Sequence, residues 1–240
     1  MGKKVNETKR IFDAIENGDA ELVKKLIDNG ADVNAEDHEN FIPLHYAVQG
    51  ERTEIVKMLL QHGADAKKAE RMGMTPFCLA VMRAEEDGGT MAKFMLENGV
   101  DINAECDKGF AEIHYLCGIC DDAAVVKFML ENGANVNAHA SVNGATALHL
   151  AVRNSHLEVA KLLIANGADI NAVDEEGLTP LHYCARFTQD NTEMAKLLID
   201  NGADLQAESK SGTIPFMDAF IVGNFALAPL LDHRKNRPQS

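Results

Sequence analysis

The chain has 240 residues, 46% hydrophobic and 25% charged, which supplies a packed core and excludes a disordered chain. Its net charge of −14, from 37 acidic and 23 basic residues with no basic stripe, excludes general nucleic-acid binding, because phosphate affinity rests on Lys and Arg. Five cysteines, an odd number without a regular pairing pattern, fit a reducing compartment better than a disulfide framework.

From the N-terminus, Met1 to Arg10 holds no apolar stretch to act as a secretory signal, and Asn6 stands where a myristoylation signal needs Ser or Thr. A cytoplasmic or nuclear protein is expected. The segment "NGADVNA" at 29–35 then begins a pattern that returns, with its glycine at Gly30, Gly63, Gly99, Gly133, Gly167 and Gly202. The residues seven, four and three before each glycine are apolar: Val23, Leu26 and Ile27 in the first copy, Ala160, Leu163 and Ile164 in the fifth. That spacing predicts one buried helix face per copy. The residue six before is always lysine, from Lys24 to Lys196, on the wet side. In four copies a glutamate three residues earlier (Glu21, Glu54, Glu158, Glu193) can pair with it. The glycine suits the left-handed position just past a helix end.

Ahead of each such helix from the second copy on stands an opening motif: "IPLHYAV" at 42, "TPFCLAV" at 75, "AEIHYLC" at 111, "TALHLAV" at 146, "TPLHYCA" at 179 and "IPFMDAF" at 214. Thr or its substitute caps a short first helix, and Pro fits its first turn. Leu44, Phe77, Ile113, Leu148, Leu181 and Phe216 are expected in the core. Each unit is thus a short helix, a turn, a longer helix, a glycine stop and an extended loop, too thin to bury its own apolar face without stacking. The extra residues at 83–90 and 186–193 lie between the two helices of their units. "AHASVNG" at 138–144 adds one residue to a loop, and Asn40 takes the place of a turn glycine. Glu112 replaces the helix-starting proline of one unit, which also carries Gly118 in mid-helix, so that unit is expected to be the weakest. The longest apolar run, Phe216 to Leu231, is broken by Asp218, Asn224 and Pro229, and no membrane span is expected.

The stretch "DEEGLTPLHYCARF…EMAKLLIDNGADLQA" (174–207) resembles the ankyrin repeat, and the resemblance covers almost the whole chain. It implies an all-α fold, a solenoid of about seven helix-turn-helix units with hairpin-like loops, forming a single domain over 1–240. The units fall at 7–35 (N-terminal cap), 37–68, 70–104, 106–138, 140–172, 174–207 and 209–236 (C-terminal cap). In that family the motif histidine hydrogen-bonds to the motif threonine and to backbone of the adjoining turn, so His45, His114, His149 and His182 are scaffold. His45 and His114 lack the threonine and must find other partners.

Cys117 and Cys120, with His114 and Cys106 nearby, form the C-x-x-C pattern of redox pairs and half zinc sites. Against that, Cys117 aligns with the inward-facing Val48, Val81 and Val152, and no second C-x-x-C occurs. No phosphate loop, zinc-protease helix or nucleophile elbow is present, and no enzyme activity, metal or cofactor is expected. What remains is recognition. Family partners bind a concave groove lined by loops and first helices, where this chain places Phe41, Met74, Met82, Arg83, Phe110, Ile119, Arg153, Arg186 and Phe187. Met, aromatic and Arg side chains favour interfaces. The expected partner is a protein or peptide with acidic residues between apolar anchors, bound by a scaffold, adaptor or inhibitor that is itself a monomer. The alternative is a receptor for an anionic small molecule or nucleotide held by Arg83, Arg153 and Arg186. The resemblance also makes Asn34, Asn103, Asn137 and Asn171 candidate sites for an asparaginyl hydroxylase.

Overall fold

The computed structural model describes residues 2–84, 88–106, 108–187 and 191–232, with side chains from Lys9 onward. The centres of the two inter-helix insertions, 85–87 and 188–190, lie outside the described residues. Among the described residues the regular secondary structure is helical, joined by loops that carry two isolated bridges, Glu105 with Ala111 and His139 with Thr146. The helices are α1 (Gly2–Glu16), α2 (Ala20–Asp28), α3 (Pro43–Gln49), α4 (Thr53–Gln61), α5 (Pro76–Met82), α6 (Thr90–Glu97), α7 (Glu112–Ile119), α8 (Ala123–Glu131), α9 (Ala147–Arg153), α10 (Leu157–Ala165), α11 (Pro180–Phe187), α12 (Thr192–Asp200), α13 (Pro215–Ile221) and α14 (Ala228–Leu231).

The chain divides into two compact units, Met1–Glu112 and Ile113–Ser240, and the division falls at the first turn of α7. Within the first, α1, α3 and α5 pack side by side, and α2, α4 and α6 form a second layer against them. The second repeats the arrangement, with α9, α11 and α13 as neighbours and α8, α10, α12 and α14 behind.

Local chemistry explains the ends of these helices. The side chains of Asp19, Asp122 and Asn191 accept from the first-turn N–H groups of Leu22, Ala124 and Met194 at 3.0, 2.8 and 3.3 Å, filling donors that have no helical partner. At the far end of α10, Gly167 stands at φ 86°, and the Ala168 N–H turns back to the Leu163 carbonyl at 3.0 Å, the glycine-dependent stop seen in each copy. The loops are linked along each unit by backbone bonds one repeat apart, Arg71 to Glu39 (3.1 Å), Glu175 to Asn143 (3.0 Å) and Lys210 to Glu176 (2.9 Å). Gly144, in the enlarged loop, permits this: a Cβ there would come within 2.9 Å of the Glu175 nitrogen. Asn40 takes φ 67°, the left-handed value of the turn glycine it replaces, which asparagine tolerates better than most residues.

The packing differs from the sequence expectation in two respects. In α2 the expected Val23, Leu26 and Ile27 are the buried set, but from α4 on the fully buried stripe is eight, seven and four residues before the stop glycine, as with Ile55, Val56 and Leu59 or Val159, Ala160 and Leu163; Leu60 and Ile164, three before it, are only partly buried. Each second helix packs against its own first helix and a neighbouring second helix, so its apolar face is wider and turned relative to the triplet. Leu44, Phe77, Ile113, Leu148 and Leu181 are buried to 1% exposure or less, but Phe216 is only partly buried. Of the four Glu–Lys pairs, Glu158–Lys161 is closed at 2.7 Å.

Candidate functional site

The motif histidines are consumed by the scaffold. His149 accepts the Thr146 N–H on Nδ1 at 3.1 Å, which leaves Nε2 protonated and donating to the Leu178 carbonyl of the next loop at 2.9 Å. His182 does the same with the Thr179 N–H (3.1 Å) and the Thr213 carbonyl (3.1 Å). His45, without a threonine, takes the Ile42 N–H (3.1 Å) and the Met74 carbonyl (3.2 Å), and His114 reaches the Ala138 carbonyl at 2.8 Å. Burial disfavours the charged imidazole, so His45 and His182 titrate below the usual range and His149 is pushed down to about 4. Neutral rings with both nitrogens bonded, as in His45, His149 and His182, have no lone pair left for a metal or a proton in transit. Cys117 is buried, and burial first, with Cys120 beside it, pushes its thiol up and away from the reactive thiolate. Among the described residues no group of three His, Cys, Asp or Glu side chains is placed to hold a metal ion.

The loop asparagines hold successive loops together. Asn34 Nδ2 donates to the Gly63 carbonyl (2.9 Å) while its Oδ1 accepts the Asp65 N–H (2.7 Å). Asn137 bridges Gly167 and Asp169 (3.0 and 2.8 Å), and Asn171 bridges Gly202 and Asp204 (3.1 and 2.8 Å). Asn103 is exposed, and its backbone N–H is held by Asp101 at 2.9 Å.

The expected contact residues divide between the two units. In the first, Phe41 is half-buried with its ring 5.0 Å from His45 and 5.8 Å from Tyr46. Met74 and Phe110 are also half-buried, while Met82 is exposed. Arg83 donates to the Gln49 carbonyl at 3.0 Å and pairs with Glu51; Arg71 likewise meets Glu39 at 3.0 Å. The arginines on this face therefore carry their own counter-charges.

In the second unit, Ile119 is exposed on α7. Arg153, at the end of α9, lays its guanidinium over the Phe187 ring, 5.2 Å from the centroid. That ring is half-exposed and leans edge-on against Tyr183 at 5.2 Å, whose hydroxyl donates to Asp174 at 2.9 Å. Arg186 makes a forked pair with Asp218 (2.6 and 3.0 Å) and donates to the Thr213 hydroxyl at 3.0 Å. A cavity of about 380 Å³ opens beside it, lined by Arg186, Phe187, Ser211, Thr213, Asp218, Ile221 and Val222. The face thus offers exposed apolar side chains, one neutralised arginine and Arg153, whose charge rests on an aromatic ring instead of a carboxylate.

Sequence reasoning missed Asp218, and a signal existed: it fills the position held by Tyr46, Leu79, Tyr115, Leu150 and Tyr183 in the other copies. A carboxylate at a position otherwise held by large aromatic or aliphatic side chains implies a cation nearby.

The family description "Ankyrin repeats (3 copies)" matches residues 11–106, 86–174 and 113–209. The human 2-5A-dependent ribonuclease is 34% identical over 79 residues, 32% of this chain, and the chain spans only 11% of that protein's length. Among solved structures, the ankyrin repeat domain of Bcl-3, a member of the IkappaB protein family, superposes with a TM-score of 0.68 at 25% identity over 87% of this chain and 92% of its own. The human ASB11 ankyrin repeat domain gives 0.66 at 25% identity over 95% and 98%.

Proposed function

The chain belongs to the ankyrin-repeat family, whose repeats are in general protein-interaction modules, and from that premise we propose that it is a non-enzymatic scaffold, adaptor or inhibitor that grips a partner protein through its loops and first helices. The observation that carries this reading is the Arg153–Phe187 pair beside Ile221 and Val222. A partially desolvated cation next to half-exposed apolar side chains favours a peptide that presents one carboxylate and one apolar anchor. Phe41, Met74, Met82, Phe110 and Ile119 offer further apolar contacts within their own units.

The internal pairs narrow the expectation that Arg83, Arg153 and Arg186 all meet partner carboxylates: the first and last already hold Glu51 and Asp218. They also count against the alternative of an anionic small-molecule or nucleotide receptor, since phosphate would have to displace a carboxylate from each. Hydroxylation of Asn34, Asn137 or Asn171 would need an enzyme that first frees the side chain from its two bonds.

The test is capture of partners on immobilised wild-type protein and on Arg153→Glu and Phe187→Ala variants of matched stability. A partner held by the wild type and weakened on Arg153→Glu by about 1–3 kcal/mol, as for a charge-assisted hydrogen bond, supports this face. A partner held equally by all three places the interface elsewhere.

A further inference from the structure

We propose that the loop junction of the second and third repeats, inside the first unit, receives a side-chain carboxamide, an asparagine or glutamine of a partner chain, between the Gly99 carbonyl and the Asp101 N–H. Other junctions supply the template. Asn34, Asn137 and Asn171 each reach into the following loop, where the amide nitrogen donates to a glycine carbonyl at 2.9–3.1 Å. The amide oxygen accepts the N–H of the aspartate two residues on at 2.7–2.8 Å. A primary amide presents the donor and the acceptor that this backbone pair needs.

The second copy breaks the pattern at two adjacent residues. Lys67 stands in the place of Asn34, Asn103, Asn137 and Asn171, and Ala66 in the place of the larger Val33, Ile102, Val136, Ile170 and Leu205. Lys67 is exposed, and its ammonium cannot accept a hydrogen bond. Gly99 and Asp101 fill the positions of Gly63 and Asp65. Among the described residues their carbonyl and N–H, respectively, make no hydrogen bond within the chain, although the Asp101 carboxylate accepts the Asn103 N–H at 2.9 Å. A cavity of about 380 Å³ lies between the two loops, walled by Leu60, Ala66 and Val100 and edged by Asp65, Lys67 and Asp101. Val100 is itself a departure, since Ala31, Ala64, Ala134, Ala168 and Ala203 hold its place in the other copies. A ligand with a small apolar body and an amide head therefore replaces what both substitutions removed.

The edge charges favour the amide over its ionised relatives. A carboxylate of the same shape has no proton for the Gly99 carbonyl and meets Asp65 and Asp101 against Lys67 alone. An ammonium leaves the Asp101 N–H unpaired. Gly99 and Asp101 are exposed, so binding exchanges water for amide and gains only the net value of two hydrogen bonds plus a small apolar contact. A lone small amide is thus held on the order of 10 mM. A partner chain that also touches the surrounding surface adds to this through effective concentration.

The experiment is an NMR titration of the labelled full chain with isobutyramide, whose branched body and amide head stand for the missing valine and asparagine. Isobutyrate of the same shape is the control, and acetyl-Ala-Asn-Ala methylamide is the peptide probe. Isobutyramide should shift the Asp101 amide saturably and bind about fivefold or more tightly than isobutyrate, and the peptide should bind at least as well. Lys67→Asn, which supplies the amide from within, should abolish the response and slow exchange of the Asp101 amide by about tenfold. Lys67→Ala removes the ammonium without supplying an amide and should keep the response. The proposal is overturned by an Asp101 amide that does not respond in the wild type, by an equal response to isobutyrate, or by a response and exchange rate unchanged in Lys67→Asn. Binding of isobutyramide without the peptide would overturn the assignment to a partner chain and make a small carboxamide the occupant. The Arg153–Phe187 pair belongs to the second unit, so either reading can fail while the other stands.

Discussion

Glu112 lets a single atom's change be read as stability. Its carboxyl sits in the first turn of α7 at 7% exposure, with the Thr75 hydroxyl donating to Oε1 and the Cys78 thiol in reach. Burial outweighs those two donors and pushes the group from its ordinary 4.5 up to about 7. The folded state therefore holds this proton more tightly than the unfolded chain. Its contribution to stability is fully present below pH 4.5 and is lost as pH rises through about 7. The difference amounts to about 3 kcal/mol, large for a domain held by 5–15 kcal/mol overall, the range typical of folded proteins. Glu112→Gln keeps the shape and an acceptor for Thr75 and removes the titration. Guanidinium unfolding of both proteins between about pH 5 and 8 should show near-equal stability at the acid end and the variant ahead by up to about 3 kcal/mol at the alkaline end. A gap that does not change across this range would refute the account of the carboxyl.

His149 works in the opposite sense: with its folded value depressed to about 4, its contribution is present above 6.5 and lost as pH falls. His149→Gln should be less stable than wild type at pH 7, and that gap should narrow by up to about 3 kcal/mol on acidification toward pH 4, as chemical denaturation at each pH would report; a gap of constant size would count against a buried neutral ring. Gly118 lies inside α7 without needing its freedom, since an added Cβ would meet Leu150 Cβ at 3.9 Å, an ordinary contact. Gly118→Ala should stabilise the protein by roughly 0.5–1 kcal/mol, seen as slower amide exchange across α7, and a loss of stability would show that the backbone there is tighter than described.

The helix pairs were legible in the sequence because each carries its own stop. A glycine at φ 86° after "LLIAN", or the motif threonine and proline ahead of "LHYCA", fixes ends locally. The turn of the second-helix buried face was not legible, since the triplet counts one neighbour and the packed helix has two. At the candidate face, the exposed Phe187 and Arg153 followed from position in the repeat. The counter-charges did not, because Glu51 lies 32 residues from Arg83, and Asp218 32 residues from Arg186, in other copies of the unit. Read one period on, all three arginine pairs, Arg71–Glu39 included, share that separation, so comparing the copies side by side would have revealed them. Leu178 shows the converse: it stands directly before its opening motif, the position of Phe41, Met74 and Phe110 in their copies, yet it is 5% exposed and belongs to the scaffold.

The most direct test of the interaction account is amide hydrogen exchange on the second unit, alone and saturated with a partner captured by the wild type. The account predicts slowed exchange at the end of α9, in α11 with its preceding loop and at the end of α13, with α10 and α12 unchanged. Protection confined to α10 and α12 would put the partner on the opposite layer and contradict it.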